Sequence, residues 1–206
     1  MTDHPPGAPA SPTSARVGVF GGTFDPPHLG HMVVASEVRH RLGLARVLWV
    51  VAGVPWQKVD GRPISPAEVR LAMVEAAIAG IEGFEVCDLE VRRPGPSFTA
   101  DTLFELAGFH PDAMLHLIVG ADAASGLGSW ERADEVARRC VLVIVNRPGQ
   151  AVPDLDPEWT VRHVEMPAID LSSTDLRSRI ADGVPCNLLV PDGALRIARE
   201  RGLYRS

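Results

Sequence analysis

The sequence predicts an α/β protein: a doubly wound, Rossmann-like parallel sheet with helices on both faces and a small helical part near the C-terminal end. Apolar runs of strand length alternate along the chain with helical patterns, as expected of βαβ units. Runs such as VLVIVN (141–146) are apolar at nearly every position, which is typical of strands buried on both faces. Hydrophobic residues make up 46% of the 206 residues, enough for one sizeable core.

The predicted elements alternate in chain order. We predict strands over residues 16–20, 46–51, 84–87, 89–93, 114–120, 141–146 and 161–166. We predict helices over about 29–42, 66–79, 98–107, 130–139, 172–181 and 192–201. Right-handed crossovers between parallel strands would place these helices on both faces of the sheet. Residues 16–206 are therefore expected to form a single domain.

The composition excludes several classes of protein. The net charge of −6 argues against a sequence-independent nucleic-acid binder, although small phosphate sites can still form locally. No apolar run reaches about 18 residues, so no membrane span is expected. Residues 1–15, rich in Pro, Ala and Ser, lack the features of a signal peptide and predict a disordered tail.

The three cysteines, Cys87, Cys140 and Cys186, are too far apart in sequence to predict a zinc site, and their odd number disfavours a disulfide framework. We expect buried, reduced thiols in a cytoplasmic protein. The sequence does not fix the oligomeric state, and a homo-oligomer is possible.

Three unusual segments begin where a predicted strand ends: GGTFDPPHLGH (21–31), VAGVPWQK (51–58) and GADAASGLGSW (120–130). In an open parallel sheet, ligands bind beyond the carboxyl ends of the strands, near the point where the strand order reverses. We therefore expect these three segments to meet at one edge of the sheet and to form the ligand site.

Gly21 and Gly22 directly follow a strand and permit close backbone approach to a phosphate. The segment is neither G-x-G-x-x-G nor a Walker loop, which argues against the common dinucleotide and P-loop sites. His28 and His31 lie on the same side of a first helical turn, where N–H groups and the helix dipole favour anions. They could stabilise growing negative charge on a phosphoryl group, although a zinc pair or incidental histidines would give the same pattern.

A second cluster, SSTDLR (172–177), predicts a capped helix start with Arg177 one turn inside. Its hydroxyls and guanidinium could form a second anion-binding site. The alternative is a capped helix with a surface arginine.

Two motifs together resemble a known family. HLGH (28–31) fits the H-x-G-H signature of the nucleotidylyltransferase superfamily, and SSTDLR fits its S-S-T-x-x-R signature, in the expected order. With PSFTADTL (96–103), GADAASGLGSW and LVPDGALRIARERGLY (189–204), the chain is similar to bacterial nicotinate-nucleotide adenylyltransferases over about residues 17–204.

The resemblance implies a reaction. ATP and nicotinate mononucleotide would give nicotinate adenine dinucleotide and pyrophosphate, with Mg²⁺ accompanying ATP. The mononucleotide phosphate would attack the α-phosphorus in line, without a covalent enzyme intermediate. This agrees with the residues themselves, which offer hydrogen-bond donors and positioning groups rather than an activated nucleophile.

The resemblance also implies roles for individual residues. Those expected at the ATP phosphates and ribose are Gly21, Gly22, Thr23, His28, His31, Lys58, Gly120, Asp122, Ser173, Thr174 and Arg177. Among them His28, His31 and Arg177 are expected to be catalytic, with His31 contributing most in the transition state, and Asp122 is expected to accept from ribose hydroxyls. Those expected near the nicotinate ring are Thr99, Thr102 and Trp130. No protein-bound metal is expected.

Two departures from the family pattern concern binding segments. The loop that often reads Pro-Pro-His-Lys is PWQK (55–58) here, so the lysine is present and the histidine is not; Leu171 replaces the first residue of I-S-S-T. We expect the loop 51–65 to act as a lid that brings Lys58 to the phosphates when nucleotide binds; the alternative is a static loop with Trp56 packed in the core. Two other functions remain open: another H-x-G-H enzyme, such as a pantetheine-phosphate adenylyltransferase or a cytidylyltransferase, and a non-catalytic nucleotide-binding protein.

Overall fold

The computed structural model describes residues 15–55, 64–146, 155–167 and 169–205. Within them, six strands form one sheet in the order β3-β2-β1-β4-β5-β6, and every neighbouring pair is parallel. The strands are β1 (Arg16–Gly22), β2 (Arg46–Val51), β3 (Phe84–Cys87), β4 (Met114–Gly120), β5 (Val141–Asn146) and β6 (Val161–Glu165). This order confirms the predicted doubly wound, Rossmann-like fold.

The described helices lie between and after the strands. They are α1 (Leu29–Leu42), α2 (Ala67–Ile78), α3 (Leu89–Arg92), α4 (Thr99–Phe109), α5 (Ala121–Ser125), α6 (Ala133–Arg139), α7 (Ser173–Ala181) and α8 (Asp192–Glu200), with a 3₁₀ turn at Leu127–Ser129. No helix within these described ranges is long and apolar enough to cross a bilayer.

Alternate residues of each central strand enter two separate apolar layers. From β2, Trp49 packs in the layer formed with α1, α2, α7 and α8, whereas Leu48 packs in the layer formed with α4 and α6. The two-residue side-chain period of a strand explains this division. Both faces of the sheet are therefore covered, as the continuous apolar runs predict.

The C-terminal helices form part of the first layer. Ala194, Leu195 and Ala198 of α8 are buried in it, and α8 lies close against α2. A Cβ atom at Gly193 would stand 2.8 Å from the Ala76 carbonyl oxygen, so this crossing requires glycine. The predicted C-terminal helical part is thus docked on the sheet domain.

The predicted strand over 89–93 is wrong, because residues Leu89–Arg92 form the short helix α3. The alternation of Leu and Val with Glu and Arg suggested a strand, but one helical turn allows Arg92 to pair with Asp88 at 2.8 Å. It also turns Glu90 inward, where Thr102 donates a hydrogen bond to it.

The region 121–139 also differs from the prediction. Residues Ala121–Ser125 form an unpredicted short helix, and the predicted helix from residue 130 begins only at Ala133. Arg132, which precedes α6, has a φ of 54° and hydrogen-bonds Asp101. This bend leaves Trp130 outside the helix, against the edge of the second apolar layer.

The cysteines lie where the sequence predicts. Cys87, Cys140 and Cys186 are buried, free thiols. Burial raises the pKa of Cys140 to about 12, so this thiol stays protonated and unreactive at neutral pH. Of the predicted tail, residues 1–15, only Ala15 is described, and residues 1–14 lie outside the described part of the chain.

Candidate active site

The candidate site lies at the carboxyl ends of β1 and β4, where the strand order reverses. Two cavities meet there, on either side of Gly21. The first, of about 750 Å³, is called the histidine cavity; its polar lining includes His28, His31, Asp122 and Asn146. The second, of about 310 Å³, is called the tryptophan cavity; its lining includes Thr23, Glu90, Ser97, Thr99, Thr102 and Trp130.

The two histidines stand together at the start of α1. His28 is the N-cap residue, and its ring stacks on that of His31 with the centroids 3.7 Å apart. The His28 backbone N–H donates to His31 Nδ1 at 3.2 Å. Because Nδ1 accepts, the proton of the neutral His31 ring is on Nε2. A Cβ at Gly30 would lie 3.1 Å from the His28 ring, so the absence of a side chain at this glycine of H-x-G-H allows the ring to pack there.

His28 is buried, with only 6% of its surface exposed. This burial lowers its pKa from 6.5 to about 4, so the ring is neutral at pH 7. Its Nδ1 atom is buried and has no hydrogen-bond partner among the described residues. A neutral ring still has one N–H to donate in a hydrogen bond.

The second motif contacts the chain directly before His28. Ser172 caps α7 by accepting from the Asp175 N–H at 3.1 Å, as its position predicts. Ser173 Oγ donates to the Pro26 carbonyl at 3.0 Å, and Arg177 Nη1 donates to the Asp25 carbonyl at 2.7 Å. The two sequence motifs, about 140 residues apart, therefore meet in one place.

Arg177 also points back over the first turn of its helix, as expected. Its Nη2 donates to Thr174 Oγ1 at 2.9 Å. A guanidinium is always charged at neutral pH and presents a planar fork of N–H donors, which suits a phosphate anion. Its position beside α1 and α7 would add positive charge near the N-terminal ends of both helices, where anions are already favoured.

The tryptophan cavity contains an acid that the sequence analysis missed. Glu90 is 9% exposed, and Thr102 Oγ1 donates to it at 2.6 Å. Burial raises the Glu90 pKa, against the opposing effects of hydrogen bonds from Thr102 and Ser97. Ser97 Oγ in turn accepts from the Gly53 N–H at 3.1 Å. Glu90 thereby ties the start of α4 to the loop after β2.

Arg70 is a second residue that the sequence analysis missed. It is 1% exposed and donates to three backbone carbonyls, those of Thr23, Gly53 and Ser65, at 2.9 to 3.0 Å. It lies on the same buried side of α2 as Met73, Val74 and Ala77. An arginine within an apolar helical stripe was the available sequence signal, because a buried charge needs partners.

The structure gathers most of the expected site residues. Gly21, His28, His31, Gly120 and Asp122 line the histidine cavity, and Gly21, Gly22, Thr23, Thr99, Thr102 and Trp130 line the tryptophan cavity. Ser173 and Arg177 contact the Pro26 and Asp25 carbonyls, two and three residues before His28, and Thr174 accepts from Arg177. Lys58 and most of the expected lid fall on residues 56–63, outside the described part of the chain.

The zinc interpretation of the two histidines finds no further ligands nearby. No group of three or more His, Cys, Asp or Glu side chains within the described residues could hold a metal ion. Mg²⁺ differs from zinc in this respect, because it binds phosphate oxygens and water with one or two carboxylates at most.

The lowered His28 pKa predicts a pH-dependent stability. The folded state binds a proton on His28 more weakly than the unfolded state does. The free energy of unfolding therefore decreases as pH falls from about 6.5 towards 4. The loss should reach about 2 kcal/mol between pH 7 and pH 5. Denaturant unfolding of the wild type and of His28→Asn at both pH values measures it: the wild type should lose that much more stability than the variant.

His40→Asn, at an exposed position of the same helix, is the control and should follow the wild type. An equal pH dependence in the wild type and His28→Asn would show that His28 titrates normally.

The chain is similar to known proteins over most of its length. Residues 19–179 match a family model described as cytidylyltransferase-like. A protein of Saccharopolyspora erythraea described as "Probable nicotinate-nucleotide adenylyltransferase" is 45% identical over 191 residues, covering 92% of this chain and 90% of the relative. A Dehalococcoides mccartyi protein with the same description is 40% identical over 200 residues, covering 93% and 98%.

The fold is shared with a solved structure of lower sequence identity. The structure of "Plasmodium falciparum nicotinic acid mononucleotide adenylyltransferase complexed with APC" superposes with a TM-score of 0.74 at 16% identity, covering 92% of this chain and 97% of that one. The matched family model and the 40–45% identical relatives lead to one conclusion. The chain belongs to the cytidylyltransferase-like family.

Proposed function

We propose that this protein transfers the adenylyl group of ATP to nicotinate mononucleotide, releasing pyrophosphate and forming nicotinate adenine dinucleotide. The observation that carries the proposal is the meeting of His28, His31 and Arg177 around one short segment, beside a second cavity that ends at Trp130. Relatives that share 40–45% of their residues with the chain over nearly its whole length are described as enzymes of this activity.

The reaction needs positioning and charge stabilisation rather than a protein nucleophile. A phosphate oxygen of the mononucleotide attacks the α-phosphorus of ATP, and the bond from that phosphorus to the bridging oxygen of the β-phosphate breaks. Pyrophosphate leaves with the bonding electron pair. Negative charge grows on the phosphoryl oxygens, so fixed N–H donors aimed at them lower the barrier.

His31 and His28 supply such donors. His31 Nε2 carries the proton of its neutral ring, since Nδ1 accepts from the main chain. His28 is neutral because it is buried, so it acts as a hydrogen-bond donor rather than as a fixed positive charge. The rings' tight stacking holds both donors in one orientation, which is what transition-state stabilisation requires.

The leaving pyrophosphate is assigned to the second motif. Ser173, Thr174 and Arg177 would hold the β- and γ-phosphates at the start of α7, and Lys58 would add a further contact. Gly21, Gly22 and Thr23 would present the main chain of the first loop to the phosphates. A Cβ at Gly21 or Gly120 would meet no described atom within 4 Å, so glycine at these positions leaves ligand space open rather than relieving a clash.

Asp122 would accept hydrogen bonds from ribose hydroxyls, since it follows β4 at the mouth of the histidine cavity. Mg²⁺ would enter as MgATP, held by phosphate oxygens and water. Bound there, the ion neutralises charge on the phosphates. The residues named above do the remaining work of binding and orienting the two substrates.

The nicotinate ring is assigned to the tryptophan cavity. Trp130, Thr99 and Thr102 line it, and the N–H groups at the start of α4 have no carbonyl partners earlier in the helix. These groups suit a carboxylate. The Glu90 carboxyl is engaged by the hydroxyls of Thr102 and Ser97, which limits its availability to a substrate amide.

Replacement of His31 by alanine tests the catalytic assignment. The kcat of His31→Ala should fall by about 10²–10⁴, because a donor to the transition state is lost. Steady-state pyrophosphate release with saturating ATP and nicotinate mononucleotide measures the change. His40→Ala, on the exposed side of the same helix, is the matched control and should keep wild-type kcat. Near-normal turnover by folded His31→Ala would refute the role.

The choice of acceptor tests the proposed substrate. The enzyme should prefer nicotinate mononucleotide over its amide by about tenfold or more in kcat/KM, since backbone N–H donors cannot pair with an amide NH₂. The same pyrophosphate-release assay should be run with pantetheine phosphate, and with CTP and a phosphorylated alcohol. Equal kcat/KM for the acid and the amide would contradict the preference, and turnover with only another acceptor would replace the proposed function.

A further inference from the structure

Asp25 lies in the segment GGTFDPPHLGH (21–31), three residues before the H-x-G-H motif, and the proposed mechanism gives it no chemical role. Its side chain is 4% exposed, and both carboxylate oxygens are engaged. Oδ1 accepts from the Tyr204 hydroxyl at 2.6 Å, and Oδ2 accepts from the Ser65 N–H at 3.2 Å. The Asp25 side chain therefore joins the loop after β1 to a residue 179 positions later in the chain.

The main chain of the same residue faces the phosphate motif. The Asp25 carbonyl accepts from Arg177 Nη1 at 2.7 Å, and the next carbonyl, of Pro26, accepts from Ser173 Oγ at 3.0 Å. A shift of the Asp25 carboxylate would move the carbonyls that orient Arg177 and Ser173. The position of the Asp25 side chain is thus coupled to the proposed binding site of the β- and γ-phosphates.

The charge of Asp25 must be balanced, because it lies close to where anionic phosphates would bind. Arg70 contributes to this compensation: it is buried and donates to the carbonyls of Thr23, two residues before Asp25, and of Ser65, whose N–H donates to the Asp25 carboxylate. Burial lowers the Arg70 pKa, and the charge of Asp25 opposes that shift. Tyr204 adds a neutral O–H donor to the same carboxylate.

The backbone conformation and packing of Tyr204 place its hydroxyl at the Asp25 carboxylate. Its φ is 63°, a left-handed conformation that a tyrosine rarely adopts. Leu203 beside it packs against the apolar layer of α1, α2 and α8, and so does part of the Tyr204 ring. Apolar contacts therefore dock the segment, while the hydroxyl makes a separate polar contact that a substitution can remove by itself.

We infer that Tyr204 is a positioning residue of the phosphate site, acting through Asp25 on Arg177 and Ser173. The inference rests on the proposed function for the identity of the reaction. It predicts that the tyrosine hydroxyl governs how well MgATP is held and turned over, while leaving the tryptophan cavity and the binding of the acceptor unchanged.

The test is Tyr204→Phe, which removes the hydroxyl and keeps the ring. We expect kcat/KM for ATP to fall about tenfold and the Kd for MgATP, measured by calorimetry without acceptor, to rise by a similar factor. The KM for nicotinate mononucleotide should stay within about twofold of wild type. Leu203→Val is the matched control: it trims the same segment without touching the hydroxyl, and should retain wild-type ATP kinetics.

A double-mutant cycle with Asp25→Asn shows whether Tyr204 acts through Asp25. If it does, adding Tyr204→Phe to Asp25→Asn should cost less than about twofold in ATP affinity beyond the single Asp25 variant. The inference is overturned if folded Tyr204→Phe binds MgATP like the wild type, if Leu203→Val shows the same loss, or if the two losses multiply in full. The MgATP affinity does not involve the acceptor, so a failure of the nicotinate assignment would leave this result standing and be recognised separately.

Discussion

Two hydrogen bonds to main-chain carbonyls hold the candidate site together. Arg177 donates to Asp25 and Ser173 donates to Pro26, and these bonds fix the start of α7 against the loop between β1 and α1. The parallel sheet brings the loops to one edge, but it does not itself set their relative positions to within a hydrogen bond. The side chains of the second motif complete that arrangement.

Burial gives the first motif its chemical character. A charged imidazole at the start of α1 would attract phosphates strongly before any reaction occurs, in the ground state as well as in the transition state. Because burial keeps His28 neutral at pH 7, this ring instead presents a directed N–H donor, held in place by its stacking on His31. Donors fixed in this way bind the transition state, in which charge has grown on the phosphoryl oxygens, more strongly than the ground state. Only such a difference in binding accelerates the reaction.

Sequence periodicity was sufficient for the sheet and for most of its helices. Continuous apolar runs predict strands covered on both faces. In β2 this is confirmed, because Trp49 and Leu48 pack in different apolar layers. The same reasoning failed at residues 89–92, because four residues of alternating polarity fit a strand and a single helical turn equally well. The Asp88–Arg92 ion pair and the inward turn of Glu90 depend on packing that no local pattern contains.

Part of the candidate site was also predictable from the sequence. Histidines and hydroxyls in short, specific motifs identify the phosphate edge, and the structure places them together. Arg70 and Tyr204 were not identified, since their importance comes from partners 47 and 179 positions away. Such contacts are set by the topology of the whole domain, and a single sequence gives only a weak sign of them, such as an arginine in an apolar stripe.

Hydrogen–deuterium exchange on the full-length wild-type protein, with and without MgATP, tests most directly whether the two motifs form one phosphate site. Amides in peptides covering residues 21–31 and 172–178 should both exchange more slowly with MgATP, with one concentration dependence. Peptides covering residues 110–114, at the opposite end of β4, should not change. Protection of only one of the two motifs, or of neither, would contradict the account.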